Sequence, residues 1–256
     1  MLKMAYQSDI GRVRQVNEDR AIVQEDLNGL TLAIVADGMG GHQAGDIASQ
    51  MAVELIQQQL QSMNRGTPLD QRQRELKAAI EAANEKIFEF ASGRENYHGM
   101  GTTVVAVVSD ENTAVIAHIG DSRAYRIHGD RIEQLTEDHS LVNELVKSGQ
   151  ITPEEADHHP RRNVLTRALG TEPSIEVDVR EMVWEPGDLL LLCSDGLSAL
   201  LTRDQLLALA NAEGELDDKV KRLVTGALDA GGDDNITVVL MAHAAGGVLH
   251  HDEEAR

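Results

Sequence analysis

Three aspartates at the ends of apolar runs most constrain how this chain can fold. The runs are 32–36, 189–193 and 236–240, and the aspartates beside them are Asp37, Asp195 and Asp234. Such runs predict buried strands, so the three carboxylates lie at strand ends, where an unpaired charge would be poorly solvated. A cation is therefore expected beside them. Oxygen ligands suit Mg²⁺ or Mn²⁺, and no cluster of cysteines or histidines in the sequence competes for the role.

An Asp-Gly pair on its own marks a turn more often than a ligand. Asn28-Gly29, between two strand-like segments, predicts an ordinary hairpin turn of this kind. The pairs at Asp37 and Asp195 differ because polar corners accompany them beside further apolar segments. These corners are Arg14 with Asn17-Glu18-Asp19, Gly101-Thr102-Thr103, Gly120-Asp121-Ser122-Arg123 and residues 135–140.

In order and spacing, these motifs resemble the metal-dependent type 2C (PPM) Ser/Thr protein phosphatases. The chain is similar to their compact bacterial form, which has Asp-Gly-Met-Gly-Gly-His, here residues 37–42, where the animal enzymes have Asp-Gly-His. The resemblance extends from about Asp9 to Ala242, which is nearly the whole chain. It implies hydrolysis of phosphoserine and phosphothreonine on proteins, in opposition to a bacterial Ser/Thr kinase.

The composition fits a single soluble domain. With 256 residues the chain can bury a substantial core, which Leu, Ile, Val and Met must fill because only one Trp, three Tyr and two Phe are present. One catalytic domain is expected over residues 1–245, followed by a flexible acidic tail over 246–256. The formal net charge of -20 argues against nucleic acid and anionic membranes as partners.

The single cysteine, Cys193, lies within an apolar run and is expected to be a small buried residue. A disulfide framework is thereby excluded, which fits a reducing compartment. The N-terminal residues contain no apolar signal core, and no run approaches membrane-spanning length. These observations predict a cytoplasmic protein, which is expected to be a monomer.

Hydrophobic periodicity predicts an α+β domain. Amphipathic helices are expected over 46–63, 69–90, 203–211 and 216–228. Strands are expected over 103–108, 113–119, 124–127, 132–135, 175–184, 188–193 and 236–242. Consecutive strands with tight turns favour antiparallel pairing, and paired helices favour layers. The resemblance sharpens this prediction to two antiparallel β-sheets packed as a sandwich with helices on both outer faces.

Residues 140–162 form the longest polar interruption, with a short helix predicted over 141–147. From the residues alone, a mobile flap over a site and a surface insertion are equally supported. The resemblance favours the flap, with Ser140 and Asp157 as candidate substrate contacts. Neither His139 nor the pair His158-His159 is expected to be a metal ligand.

A phosphate monoester repels nucleophiles, so two cations can neutralise its oxygens and acidify and align a water. The resemblance implies two Mn²⁺ or Mg²⁺ ions bridged by Asp37, with the Gly38 carbonyl serving one ion and Asp195 and Asp234 the other. Asp121 is expected to join Asp195 in holding a weaker third metal. The alternative for Asp121 is a turn residue that caps local amides.

Arg14 is the candidate phosphate clamp, because a guanidinium presents a planar fork to two phosphate oxygens. From spacing alone, a surface arginine beside an acidic segment is the better-supported interpretation. Glu18 and Asp19 are expected to hold water ligands of the metals or to orient Arg14. Asn235 is expected to contact the metal ligands rather than the metals themselves.

The general acid is the least defined part of the pattern. Met39 stands where the animal enzymes carry a histidine. His42, three residues later, could donate a proton near neutral pH and is the candidate general acid. A water ligand of a metal is the alternative.

Several rival chemistries are excluded by the sequence. Cysteine-dependent phosphatases need an arginine six positions after the cysteine, and that position holds Ala199. Neither Asp-x-Asp nor Gly-Lys occurs, which removes the usual aspartyl-phosphate and Walker A motifs. A catalytically idle phosphoprotein-binding regulator of the same fold remains as the alternative. The presence of all three aspartates with Arg14 favours catalysis, and small phosphorylated molecules remain open as substrates.

Overall fold

The computed structural model describes residues 2–40, 44–97 and 99–243. The strands are β1 Leu2–Asp9, β2 Asp19–Leu27, β3 Leu30–Met39, β4 Gly101–Thr102, β5 Val104–Ser109, β6 Thr113–Ile119, β7 Arg123–His128, β8 Arg131–Gln134, β9 Asp178–Val183, β10 Leu189–Cys193 and β11 Ile236–His243. The helices are α1 Ala44–Gln59, α2 Leu69–Ser92, α3 Leu141–Lys147, α4 Pro153–Asp157, α5 Asp195–Ser198, α6 Arg203–Asn211 and α7 Leu216–Asp229. Short 3₁₀ helices occupy Leu60–Ser62 and Glu95–Tyr97.

The strands form two antiparallel sheets. One has the order β1-β11-β10-β7-β8, and the other has the order β2-β3-β5-β6-β9, with β4 paired to the end of β3. Because β11 joins the chain's first strand to β10, the segments around residues 10–18, 195 and 234 meet at one end of the sandwich. This arrangement brings the aspartate-bearing ends of both sheets together.

Side-chain alternation along the central strands explains why these runs are apolar on both faces. In β5, Val105 and Val107 face the other sheet, whereas Val104 and Val108 pack under α1 and α2. In β10, Leu190 and Leu192 face the sandwich interior, and the intervening residues pack under α6 and α7. A strand covered on both faces must be apolar throughout. The predicted α+β sandwich with helices on both outer faces is confirmed.

Several element boundaries differ from the predictions for local physical reasons. The first predicted helix ends as an α-helix at Gln59 and continues as one 3₁₀ turn. The strand expected over 175–184 begins only at Asp178, because Ile175 and Val177 instead pack against the core beneath the helices. The strand β1 and the helices α4 and α5 were not predicted. Among the described residues, no helix is long and apolar enough to cross a membrane.

Candidate active site

The hairpin of β2 and β3 sets two carboxylates side by side. Asp19 begins β2 and lies directly opposite Asp37 near the end of β3. The backbone N–H of Gly38 donates to the Glu18 carbonyl at 3.2 Å. A Cβ on Gly38 would lie 2.1 Å from the Gly45 carbonyl oxygen, so the first turn of α1 can approach this strand only because residue 38 is glycine.

The second sheet contributes Asp195 and Asp234 from adjacent strands. Asp195 opens α5 just after β10, and Asp234 precedes β11, which pairs with β10. A Cβ on Gly196 would lie 2.0 Å from the Asn235 carbonyl oxygen, so glycine allows the two segments to touch. Both carboxylates are therefore held at the same sheet end.

Ser194 ties the two sheets together at this point. Its hydroxyl donates to Asp19 Oδ2 at 2.7 Å and accepts from the backbone N–H of Thr237 at 3.0 Å. Ser194 is fully buried. It fixes one oxygen of Asp19, and sequence reasoning did not identify it because a serine before Asp-Gly carries no distinctive signal.

Asp121 reaches the same place through the turn between β6 and β7. The adjacent Ser122 hydroxyl lies 2.6 Å from the Thr103 hydroxyl, which also accepts from the backbone N–H of Asp37 at 3.1 Å. The backbone N–H of Thr103 in turn donates to the Asp37 carbonyl at 2.9 Å. Thr103 therefore couples the Asp121 turn to Asp37. The polar corner Gly101-Thr102-Thr103 was the only sequence signal for it.

Burial and mutual repulsion disfavour charge on these carboxylates. Burial raises the pKa of Asp37 well above its usual range, and the surrounding aspartates raise it further. Burial, with the neighbouring carboxylates, raises the pKa of Asp19 and of Asp121 to about 7 each. The pKa of Asp195 is raised by burial and then by Asp234. Such a cluster is stable in its charged form only beside a cation.

Two buried oxygen atoms test whether a metal fits this site. Oε1 of Glu18 and Oδ1 of Asp19 are buried and have no hydrogen-bond partner among the described residues. Buried polar atoms normally have partners, so these two acceptors fit a cation or its water ligands. The donor set is entirely carboxylate and carbonyl oxygen, which suits Mg²⁺ or Mn²⁺. The residues present therefore fit the divalent ions expected from the sequence.

Arg14 lies at the rim of the carboxylate cluster. Its Nη2 donates to Asp234 Oδ2 at 2.6 Å, and its side chain remains 48% exposed. Although burial opposes its charge, Asp234 raises the pKa of Arg14 above its ordinary value. A charged guanidinium with half of its surface accessible can meet an anion from solvent without leaving the cluster.

A cleft of about 550 Å³ opens from the cluster toward residues 140–162. Asp121, Asp195 and Asp234 line it together with Ser140 and Asp157. Ser140 also caps α3 by accepting from the backbone N–H of Asn143 at 3.4 Å. Residues of the predicted flap therefore line the same cleft as three of the carboxylates. His42 lies outside the described residues.

A second group has metal-like spacing but is already satisfied. Ligand atoms of His118, His139 and Asp178 lie within 4.8 Å of one another. Nδ1 of His139 accepts from the Gly120 N–H at 3.1 Å, so Nε2 carries the proton and faces Asp178 Oδ2 at 3.3 Å. Arg167 pairs with the same carboxylate at 3.0 Å. With both of its ring nitrogens engaged, His139 offers no lone pair to a metal and instead supports the turn before Asp121.

The comparisons with known proteins agree with this geometry. The family model described as Protein phosphatase 2C matches residues 11–235. The chain is 41% identical over 236 residues to the serine/threonine phosphatase stp of Listeria innocua, covering 92% of this chain and 94% of that protein. The structure of the S. agalactiae serine/threonine phosphatase superposes with a TM-score of 0.90 at 39% identity, covering 94% of this chain and 99% of the other.

One similar structure was solved with metal. It is the catalytic domain of the serine threonine protein phosphatase PstP in complex with two manganese ions, at 35% identity and a TM-score of 0.83, covering 94% of this chain and 97% of the other. A family match across most of the chain, close relatives and the oxygen-rich carboxylate cluster all agree. The chain belongs to the protein phosphatase 2C family and is a metal-dependent protein-serine/threonine phosphatase.

Proposed function

We propose that the enzyme uses two Mn²⁺ or Mg²⁺ ions and opposes a bacterial Ser/Thr kinase. Asp37 would bridge the ions, with the Gly38 carbonyl on one of them and Asp195 and Asp234 on the other. The observation that carries this proposal is the convergence of carboxylates from both sheets, among which Asp37, Asp19, Asp121 and Asp195 have a raised pKa. The two manganese ions of the related PstP domain support it. The cytoplasmic location and the monomeric state remain predictions from the sequence.

The chain's own residues bind and orient the phosphate. When bound, the divalent ions supply positive charge for the phosphoryl oxygens and lower the pKa of the attacking water. Arg14 presents its accessible guanidinium to the remaining phosphate oxygens, while Asp234 holds it in place. Glu18 and Asp19 each have a buried oxygen without a partner among the described residues, and these oxygens would bind the ions or their water ligands. Ser194 and Thr103 keep Asp19 and Asp37 in place.

Substrate class is the first test of this proposal. With Mn²⁺ present, the enzyme should release phosphate faster from phosphoserine and phosphothreonine peptides than from free phosphometabolites, and a chelator should stop both reactions. Released phosphate is the measurement. Full activity in metal-free buffer would contradict the metal mechanism. Binding of phosphopeptides without release would indicate the alternative, an idle phosphoprotein-binding regulator.

The general acid is proposed to be His42. His42→Ala should lower kcat for a phosphoserine peptide by about 100-fold or more, because its poor leaving group needs a proton. For nitrophenyl phosphate, kcat should change little, since its departing oxygen is already stable as an anion. Steady-state kinetics on both substrates make the comparison. An equal loss on both would assign His42 a structural role and leave proton donation to a water.

The flap, residues 140–162, is proposed to determine the choice of substrate. Replacing residues 140–162, which include Ser140 and Asp157, with the flap of a relative should change discrimination among phosphopeptides but spare aryl phosphate hydrolysis.

Asp121 is proposed to hold a weaker third metal. Asp121→Ala should raise the Mn²⁺ concentration that gives half-maximal turnover, since one carboxylate is lost from the weakest site. Metal titration of the variant is the measurement. Unchanged metal dependence and rate would make Asp121 only a turn residue.

A further inference from the structure

The segment that carries Arg14 is held by polar contacts rather than by apolar packing. Residues 10–18 connect β1 to β2 without regular secondary structure. Its apolar side chains face solvent, with Val13 64% and Val16 43% exposed. A connection that buries so little apolar surface gains little rigidity from packing. The position of Arg14 is therefore fixed by polar contacts. Arg12 makes some of them in the middle of the segment, where its backbone N–H donates to the Gly232 carbonyl at 2.7 Å and its Nε to the Leu228 carbonyl at 2.7 Å.

Asn235 makes three of these contacts through one side chain. Its Nδ2 donates to the Ile10 carbonyl at 2.9 Å and to the Val16 carbonyl at 3.0 Å. Its Oδ1 accepts from the backbone N–H of Glu18 at 2.8 Å. This buried amide is thus hydrogen-bonded to the segment at its start and at its end. Three directed hydrogen bonds from one rigid group close residues 10–18 into a fixed loop.

The same residue also orients the partner of Arg14. The backbone N–H of Asn235 donates to Asp234 Oδ1 at 2.8 Å, while Asp234 Oδ2 accepts from Arg14 at 2.6 Å. Asn235 therefore orients the Asp234 carboxylate through its backbone N–H. Through its side chain it holds the loop that carries the Arg14 guanidinium. Aspartate has the same length but only acceptor oxygens, which would face the two carbonyls. Asparagine is therefore the side chain of this length that can make all three hydrogen bonds.

We propose that Asn235 is the positioning residue that fixes Arg14 against the phosphate of the substrate. The inference rests on the proposed role of Arg14 as phosphate clamp. Asn235 acts through the loop, so its removal weakens phosphate binding as removal of Arg14 does. The backbone N–H to Asp234 survives any side-chain substitution, so the affinity for Mn²⁺ is retained.

A double-mutant cycle tests this coupling. Arg14→Ala and Asn235→Ala should each raise KM for an aryl phosphate, and the inhibition constant of inorganic phosphate, by about tenfold or more, as expected for a lost charge-assisted hydrogen bond. The double variant should have the same KM as Arg14→Ala, because moving the loop has no further effect once the guanidinium is absent. Titration calorimetry should give the Mn²⁺ affinity of the wild type for Asn235→Ala.

Asn84→Ala is the matched control for lost stability. Asn84 is also buried and also holds a loop, donating to the Glu172 carbonyl at 3.0 Å and accepting from the Gly170 N–H at 2.7 Å. Its removal should lower the free energy of unfolding and leave KM for the aryl phosphate unchanged. If Asn235→Ala does not fold, Asn235→Ser replaces it in the same cycle with the same expectation.

The outcomes separate this inference from the proposed function. If the wild type lacks metal-dependent hydrolysis, the proposed function fails. If Arg14→Ala raises KM but Asn235→Ala does not, the positioning role is overturned while the function stands. Effects that multiply in the double variant, or a loss of Mn²⁺ affinity in Asn235→Ala, would also overturn it.

Discussion

Asp37→Asn should remove nearly all hydrolysis of both phosphopeptides and aryl phosphates. Burial raises the pKa of Asp37, and the neighbouring carboxylates, beginning with Asp19 directly opposite it, raise it further. Asparagine keeps the shape but lacks the negative charge that two cations would share. Losing one electrostatic contact to the reacting centre costs about 3–4 kcal/mol of transition-state stabilisation, so kcat should fall on the order of a thousandfold. The measurement is phosphate release at saturating Mn²⁺.

Asp188→Asn is the matched control for removing a buried aspartate. Asp188 is fully buried just before β10, at the end of that strand opposite Asp195, where it pairs with Arg126 at 2.8 Å and with His128 at 2.7 Å. Its substitution should lower the unfolding temperature, because Arg126 loses a buried partner, but turnover by the folded protein should be retained. Substantial turnover by Asp37→Asn, or an equal loss in both variants, would contradict the assignment of Asp37.

The central strands were predictable because their burial on both faces leaves an unmistakable apolar run. The strand β1 was not, because its exposed Lys3 and Tyr6 interrupt the pattern and its place depends on pairing with β11. The helix α4 did carry a readable signal. Thr152 and Glu155 form a capping box around Pro153, which predicts a helix start that the hydrophobic pattern of this polar segment concealed.

The positions of the site carboxylates were only partly predictable. The turn at Asn28-Gly29 pairs Leu27 with Leu30, and extending that register would place Asp37 opposite Arg20. A register shift between Gln24 and Leu27 moves Asp19 opposite Asp37 instead. A one-residue shift changes which side chains meet across the strands, and nothing in the sequence marks it. The motifs therefore identified the ligand candidates, whereas their mutual placement required the structure.

The same crowding of carboxylates should make the metal-free protein less stable as the pH rises. The pKa of Asp19 and that of Asp121 are about 7 in the folded chain, against an ordinary value of 3.8. A pKa raised by folding contributes stability that is present below about pH 4 and is lost as the pH rises through about 7. With a chelator present, the free energy of unfolding should therefore fall between pH 6 and pH 8.

On the acid side, His139 has the opposite effect. Its pKa is lowered to about 4 by burial and by His118. A pKa lowered by folding contributes stability that is complete above about pH 6.5 and is lost as the pH falls toward 4. The range from pH 6 to pH 8 is therefore the one in which the carboxylates dominate, and denaturant unfolding should be compared there.

Mn²⁺ should reverse this dependence. The deprotonated carboxylates are the form that binds a cation, so at pH 8 the ion should stabilise the folded chain by about 2.7 kcal/mol for each site at 100 times its Kd. Asp37→Asn should differ from the wild type both in its stability without metal and in its gain from Mn²⁺. Without metal at pH 8 it should be at least as stable as the wild type, because one repelling carboxylate is gone, and with Mn²⁺ it should gain far less. Equal stability of the wild type at pH 6 and pH 8 in chelator, or equal gains from Mn²⁺ in both proteins, would contradict the assignment of these carboxylates to one cation site.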